Sequence, residues 1–204
     1  LTGSENNKKI GAYTASYFKE NGYKVEKQEF SCIDWQANKV ELFCNNEELP
    51  AKPSYYTAAC QVEAEFTLLK SFAELENANL SNKIAVLYGE LCSEQLMPKN
   101  FTFYNPEHHQ KIIAMLEDKN PLAIVSIVRN DTSIFEDGDF DIPGVYVTEN
   151  TGKKILNTEG KISLNIDATR SKSKGANIIA RINVESDKKI VVTAHLDTKY
   201  GTPG

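Results

Sequence analysis

Five consecutive residues, Ile190-Val191-Val192-Thr193-Ala194, put apolar or small side chains on both faces of an extended chain. A strand of that kind is stable only where both faces are covered, as in a sheet with helices packed against it. It therefore directs the chain toward an α/β fold. His195 and Asp197 follow directly, at the carboxyl end of this strand, the edge at which open α/β sheets bind ligands. Residues two apart in an extended chain point to the same side, so both side chains can serve one site. A neutral imidazole suits Zn²⁺, and a nearby carboxylate can fix its tautomer and orientation.

Other segments fit the same class. Thr2-Gly3-Ser4-Glu5 offers capping side chains before a periodic stretch with Ile10, Tyr13, Tyr17 and Phe18 on one face, and Gly22 closes that helix. Residues 23–30 read as an edge strand. A strand at 84–88 is followed by a long polar loop. Asn105-Pro106 then supplies an N-cap and a preorganised first helical residue. The helix runs to about Asp118, burying Ile112, Ile113, Met115 and Leu116, and Pro121 ends it. Residues 122–128 are continuously apolar, so 84–128 reads as strand, helix and strand in a parallel crossover. A short strand at 145–147 and a small helix ending near Gly160 follow. Ile162, Leu164 and Ile166 alternate with polar residues in a strand, 170–175 is a polar turn, and 177–182 is a further strand.

The simplest organisation is an α/β domain formed by 1–38 and 161–204, bracketing an inserted mixed domain at 39–160. With 204 residues, 41% hydrophobic and 25% charged, the chain has the ordinary globular balance. A net charge of −5 with dispersed basic residues excludes an electrostatic nucleic-acid footprint. No apolar run has the length of a membrane span. Cys32, Cys44, Cys60 and Cys92 form no C-x-x-C pair and read as reduced, partly buried thiols, or as one or two disulfides in an exported protein. The N-x-S/T sites at Asn79, Asn100 and Asn130 are as many as chance provides in so polar a chain. Localisation stays open, with a secreted or cell-envelope setting favoured.

Three other groups hold chemistry-bearing side chains. His108 and His109 are adjacent on a helix, hence about 100° apart, and read as a solvated face rather than as chelators of one ion. The acidic loop with Glu136, Asp137, Asp139 and Asp141 lacks the distal glutamate of a calcium loop and reads as solvated. Phe101, Phe103 and Tyr104 could rim a cleft but read as a packed loop. No serine or cysteine has a glycine-rich nucleophile context.

The segment IVVTAHLDTKYGTPG (190–204) resembles the first metal motif of the zinc peptidase family that includes aminopeptidase Y and glutamate carboxypeptidase II. KGANIIARI (174–182) resembles the strand before it, and LTGSENN with the helix after it resembles the family's opening. NKIAVLYGE (82–90) and DIPGVYVTENTGKKIL (141–156) resemble the protease-associated domain often inserted in that family. The resemblance implies an incomplete zinc-exopeptidase mixed sheet with an inserted mixed α/β protease-associated domain. It implies His195 as a ligand of one of two zincs and Asp197 as the carboxylate that orients a ligand and tunes the site. The implied activity is hydrolysis of amino-terminal residues from peptides with a free amino terminus, by metal-activated water. The family's bridging carboxylate, general-base glutamate and later ligands are not among the 204 residues. The chain is therefore expected to be an amino-terminal portion, inactive alone and prone to self-association through its uncovered last strand. The same architecture also implies two alternatives, a non-catalytic binding ectodomain such as the transferrin receptor and an enzyme of the glutaminyl cyclase kind.

Overall fold

The structure is a computed structural model that describes residues 2–136, 138–183 and 185–197. The chain divides into two compact units, Leu1–Trp35 with Arg170–Gly204, and Gln36–Thr169. Two 21-residue strands, β1 (Lys24–Cys44) and β8 (Lys161–Arg181), contribute residues to both.

The larger unit is built on a mixed sheet. Between β1 and β8 in sequence come β2 (Glu47–Leu49), β3 (Lys52–Pro53), β4 (Cys60–Leu69), β5 (Ile84–Leu87), β6 (Ala123–Val128) and β7 (Gly144–Thr148). The strand order is β2-β1-β8-β4-β5-β6-β7-β3. β4 joins two regimes, because its first residues pair antiparallel with β8 and its last four pair parallel with β5. β5, β6 and β7 are mutually parallel. The helices of this unit are α2 (Phe72–Asn77), α3 (Glu107–Lys119) and α4 (Glu149–Leu156). α3 makes the expected crossover between β5 and β6.

Both faces of the parallel part are covered, which explains why β5 and β6 are buried at every position. Alternate residues serve two cores. Ala85, Leu87, Ile124, Val128 and Tyr146 pack with α3 and its flanking loops. Ile84, Val86, Val125, Val145 and Val147 pack on the other face with Ile155 of α4 and Ile162, Leu164 and Ile166 of β8. α4 approaches β6 so closely that a Cβ on Gly152 would lie 2.3 Å from Cγ2 of Ile127. Any larger residue there would have to displace the strand.

In the smaller unit, α1 (Glu5–Glu20) starts where the Ser4 hydroxyl accepts the amide N–H of Asn7 at 3.2 Å, as the capping side chains suggest. It ends before Gly22, whose φ of +82° is the left-handed conformation a glycine adopts without strain. None of its residues is buried, and Ile10, Tyr13 and Tyr17 form an exposed stripe. Side-chain pairs tie β1 to β8 in this unit, namely Glu29 with Lys174 at 3.2 Å, Gln28 with Asn177 at 3.3 Å and Glu26 with Arg181 at 2.7 Å.

Three expectations about local structure are corrected. Residues 170–175 are not a turn but the continuation of β8, because pairing with β1 satisfies their backbone although the side chains are polar. Residues 190–194 form no strand, and Ile190, Val191 and Val192 are 94%, 82% and 88% exposed. Among the described residues no strand pairs with them, so the apolar run lacks the cover it needs. The cap of α3 is Pro106 rather than Asn105, whose side-chain amide instead donates to the carbonyls of Pro98 and Lys99.

Candidate functional site

His195 and Asp197 lie in the smaller unit, in a segment outside any strand. Asp197 Oδ1 stands 3.7 Å from His195 Nδ1, so the two side chains do turn to the same side. The other carboxylate oxygen accepts from Thr2 Oγ1 at 2.8 Å, which ties the motif to the residue two before the cap of α1. Leu196 lines a cavity of 140 Å³ together with Lys8, Gly11, Lys27 and Lys174. The His195 side chain itself is 94% exposed. With the carboxylate on its Nδ1 side, Nε2 is left for an outside partner. That arrangement fits one zinc ligand with an orienting carboxylate. Among the described residues His195 belongs to no group of three metal-ligating side chains, whereas a zinc ion takes about four ligands. The part of the motif beyond Asp197 lies outside the described residues.

The larger unit holds a group that sequence reasoning missed. Ligand atoms of Glu94, His108 and His109 all lie within 4.8 Å of one another. Glu94 Oε1 is 3.0 Å from His108 Nε2 and 3.3 Å from His109 Nε2. The two rings meet edge to face with centroids 4.3 Å apart. His108 is exposed, as expected of a solvated face, but His109 is only 1% exposed. The expectation of a solvated face is therefore corrected for His109, which is buried. The Glu94 loop passes over the first turn of α3, and the two rings converge on its carboxylate although their Cα–Cβ bonds diverge. The burial of His109 has a sequence signal, since 109, 112, 113 and 116 are the i, i+3, i+4, i+7 stripe of α3. The hydrogen bond from His108 first, and the nearby His109 ring second, hold the Glu94 carboxyl below the usual carboxylate range.

The remaining candidates are not poised for catalysis. All four cysteines are free thiols. Burial pushes Cys60 up to about 11 and Cys92 up to about 12, far from the thiolate a nucleophile needs. In the acidic loop Asp139 and Asp141 are exposed, as expected of solvated carboxylates, and Glu136 is half-buried, while Phe135 and Phe140 of the same segment stack at 4.8 Å and are buried. Its Glu136 accepts from Gln95 and its Asp139 from Asn100, while Asp137 lies outside the described residues. The expected packed aromatic loop is instead exposed, with Phe103 at 93%. No helix among the described residues is long and apolar enough to cross a membrane.

No family model matches the sequence, and no curated protein matches it. Solved structures do share the fold. An aminopeptidase from Aneurinibacillus sp. strain AM-1 superposes with a TM-score of 0.65 at 19% identity, over 88% of this chain and 43% of that one. A peptidase M28 precursor from Shewanella amazonensis gives 0.65 at 17%, over 97% and 50%. A zinc aminopeptidase from Bacillus subtilis gives 0.59 at 14%, over 90% and 43%. The chain thus spans half or less of the length of the structures it resembles, and it has their mixed α/β architecture.

Proposed function

We propose that this chain works as part of a zinc-dependent aminopeptidase, with His195 as a metal ligand and Asp197 as the carboxylate that positions it. The observation that carries this reading is the facing pair His195 and Asp197 in a chain with the fold of solved zinc aminopeptidases. Asp197 Oδ1 lies 3.7 Å from Nδ1, just outside hydrogen-bond distance, while Thr2 Oγ1 holds the carboxylate from its other side; in this reading metal binding closes that gap and fixes the imidazole proton on Nδ1. Nε2 is then the free donor toward a metal. Two zincs in such a site would supply a polarised water and a hold on the substrate's free amino terminus. Among the described residues no further ligand or general base joins His195 and Asp197, so the isolated chain is expected to be inactive in this reading.

We further read the larger unit as the inserted, protease-associated-like domain. Support comes from its own two-sided core and from its compactness between Gln36 and Thr169. Such an insert would shape access to the site without taking part in the chemistry.

The test is expression of the whole reading frame that contains this chain, followed by zinc analysis and assay on aminoacyl chromogenic substrates. Zinc-dependent turnover is expected, reduced at least about a hundredfold in His195→Ala, and by roughly 10–100-fold in Asp197→Asn as an outer partner of the ligand. Bound zinc that is lost in His195→Ala, without aminoacyl turnover, would turn the reading to another reaction class, such as glutaminyl cyclisation. A full-length protein whose zinc content is the same with and without His195→Ala would overturn it in favour of a binding ectodomain.

A further inference from the structure

We infer that Glu94, His108 and His109 form a second metal site, for one first-row divalent cation such as Zn²⁺, in the larger unit and separate from the His195 motif. Two observations meet here. First, the donor set is two imidazoles and a carboxylate, a combination suited to Zn²⁺, Co²⁺, Ni²⁺ or Cu²⁺ rather than to Mg²⁺ or Ca²⁺. The separations from Glu94 Oε1, 3.0 Å and 3.3 Å, approximate the edge of about 3.3 Å between ligands at a tetrahedral ion with bonds of about 2.0 Å. Second, Nε2 of His109 is buried, and its one polar neighbour, Glu94 Oε1 at 3.3 Å, is too poorly aligned to make a hydrogen bond. A buried polar atom left in that condition is costly, and a bound ion would relieve it. Glu94 and His108 are half exposed, so the ion has an open path in and room for water as a remaining ligand.

The site also carries a coupling. The amide N–H of Met97 donates to His109 Nδ1 at 3.1 Å, so in the metal-free chain the imidazole proton sits on Nε2. An ion can bond Nε2 only when that N–H bond is broken and the proton is returned, through solvent, to Nδ1. No net proton is released, but Met97 loses its acceptor. Met97 is a half-buried residue at the head of the loop that carries Phe101, Phe103 and Tyr104. Metal binding and the Met97–His109 hydrogen bond therefore exclude each other.

The experiment uses the 204-residue chain with His195→Ala, which removes the other metal motif while leaving this one intact. Titration with ZnCl₂ and with CoCl₂ is followed by calorimetry, by Co²⁺ absorption and by amide exchange at Met97. One equivalent is expected to bind, and the Met97 amide is expected to exchange faster when zinc is present. Loss of even an outer partner typically weakens a metal site roughly 10–100-fold, so Glu94→Gln and His108→Ala, both at exposed positions, are each expected to weaken binding at least about tenfold. A chain that binds no zinc in the micromolar range, or equal binding in Glu94→Gln and His108→Ala, would overturn the site. Binding with Met97 exchange unchanged would overturn the coupling.

Discussion

Ser126 stands in β6 opposite Leu87 and Tyr146, fully buried, with no hydrogen-bond partner for its hydroxyl. A buried, unsatisfied hydroxyl costs about 1–3 kcal/mol, and removing it leaves only a small void. Ser126→Ala is therefore expected to stabilise the larger unit by about 1 kcal/mol, read as a higher urea midpoint with unchanged slope. A lowered midpoint would mean the hydroxyl has a partner that the structure does not show. His109 is the contrasting case. Its Nδ1 is satisfied and its Nε2 is not, so the same burial reads as potential function rather than as a defect. Residue-level reading of the sequence singled out His195 and Asp197 because a strand-like run leads straight into them. It missed His109 because adjacent histidines were weighed as a pair instead of placing each on the stripe of α3.

At the level of elements, what was legible followed from strong local signals. β5, α3 and β6 are a continuous apolar run, an apolar stripe and another apolar run, and each signal agrees with its neighbours. β4 alternates Val62 and Ala64 with Gln61, Glu63 and Glu65, but its small apolar side makes the pattern faint. The polar middle of β8, residues 170–175, could not be read as strand, since its strand character comes from pairing with β1. In the smaller unit that pairing leans on exposed charges, and Lys174 beside Glu29 holds the carboxyl below the usual carboxylate range. A depressed carboxyl adds stability above its unfolded pKa, near 4.3, and loses it as the pH falls through the lower folded value. Lys174→Gln is thus expected to lower the melting temperature slightly at pH 7 in low salt. The difference should vanish in acid, once the pH has fallen below the lowered folded value, and in high salt, where exposed pairs are screened. A difference that persisted in acid would assign it to packing of the lysine stem.

For the whole molecule, the two units differ in how completely each covers itself. The larger buries both faces of its parallel strands, whereas the smaller leaves Ile190, Val191, Val192, Tyr13 and Tyr17 in water. A protein made of residues 36–169 alone is expected to unfold cooperatively and to remain monomeric in sedimentation. The 204-residue chain is expected to self-associate at the same concentration through its uncovered apolar segments. A strictly monomeric 204-residue chain, or a shorter protein without a cooperative transition, would each count against this division.

The hydrogen bond between Asn38 and Asp167, 3.3 Å long, has a consequence for how such a chain can be assembled. Asn38 lies just inside the point where the polypeptide enters the larger unit, and Asp167 just before it leaves. To the smaller unit, everything between them is topologically a hairpin loop whose ends already touch. Loop closure depends only logarithmically on what a loop contains, so a self-folding body of any size can occupy that position with little penalty to its host. On this topology the larger unit is expected to be exchangeable, so that a chain in which a tight turn replaces the residues between Asn38 and Asp167 should still pair β1 with β8 in the smaller unit.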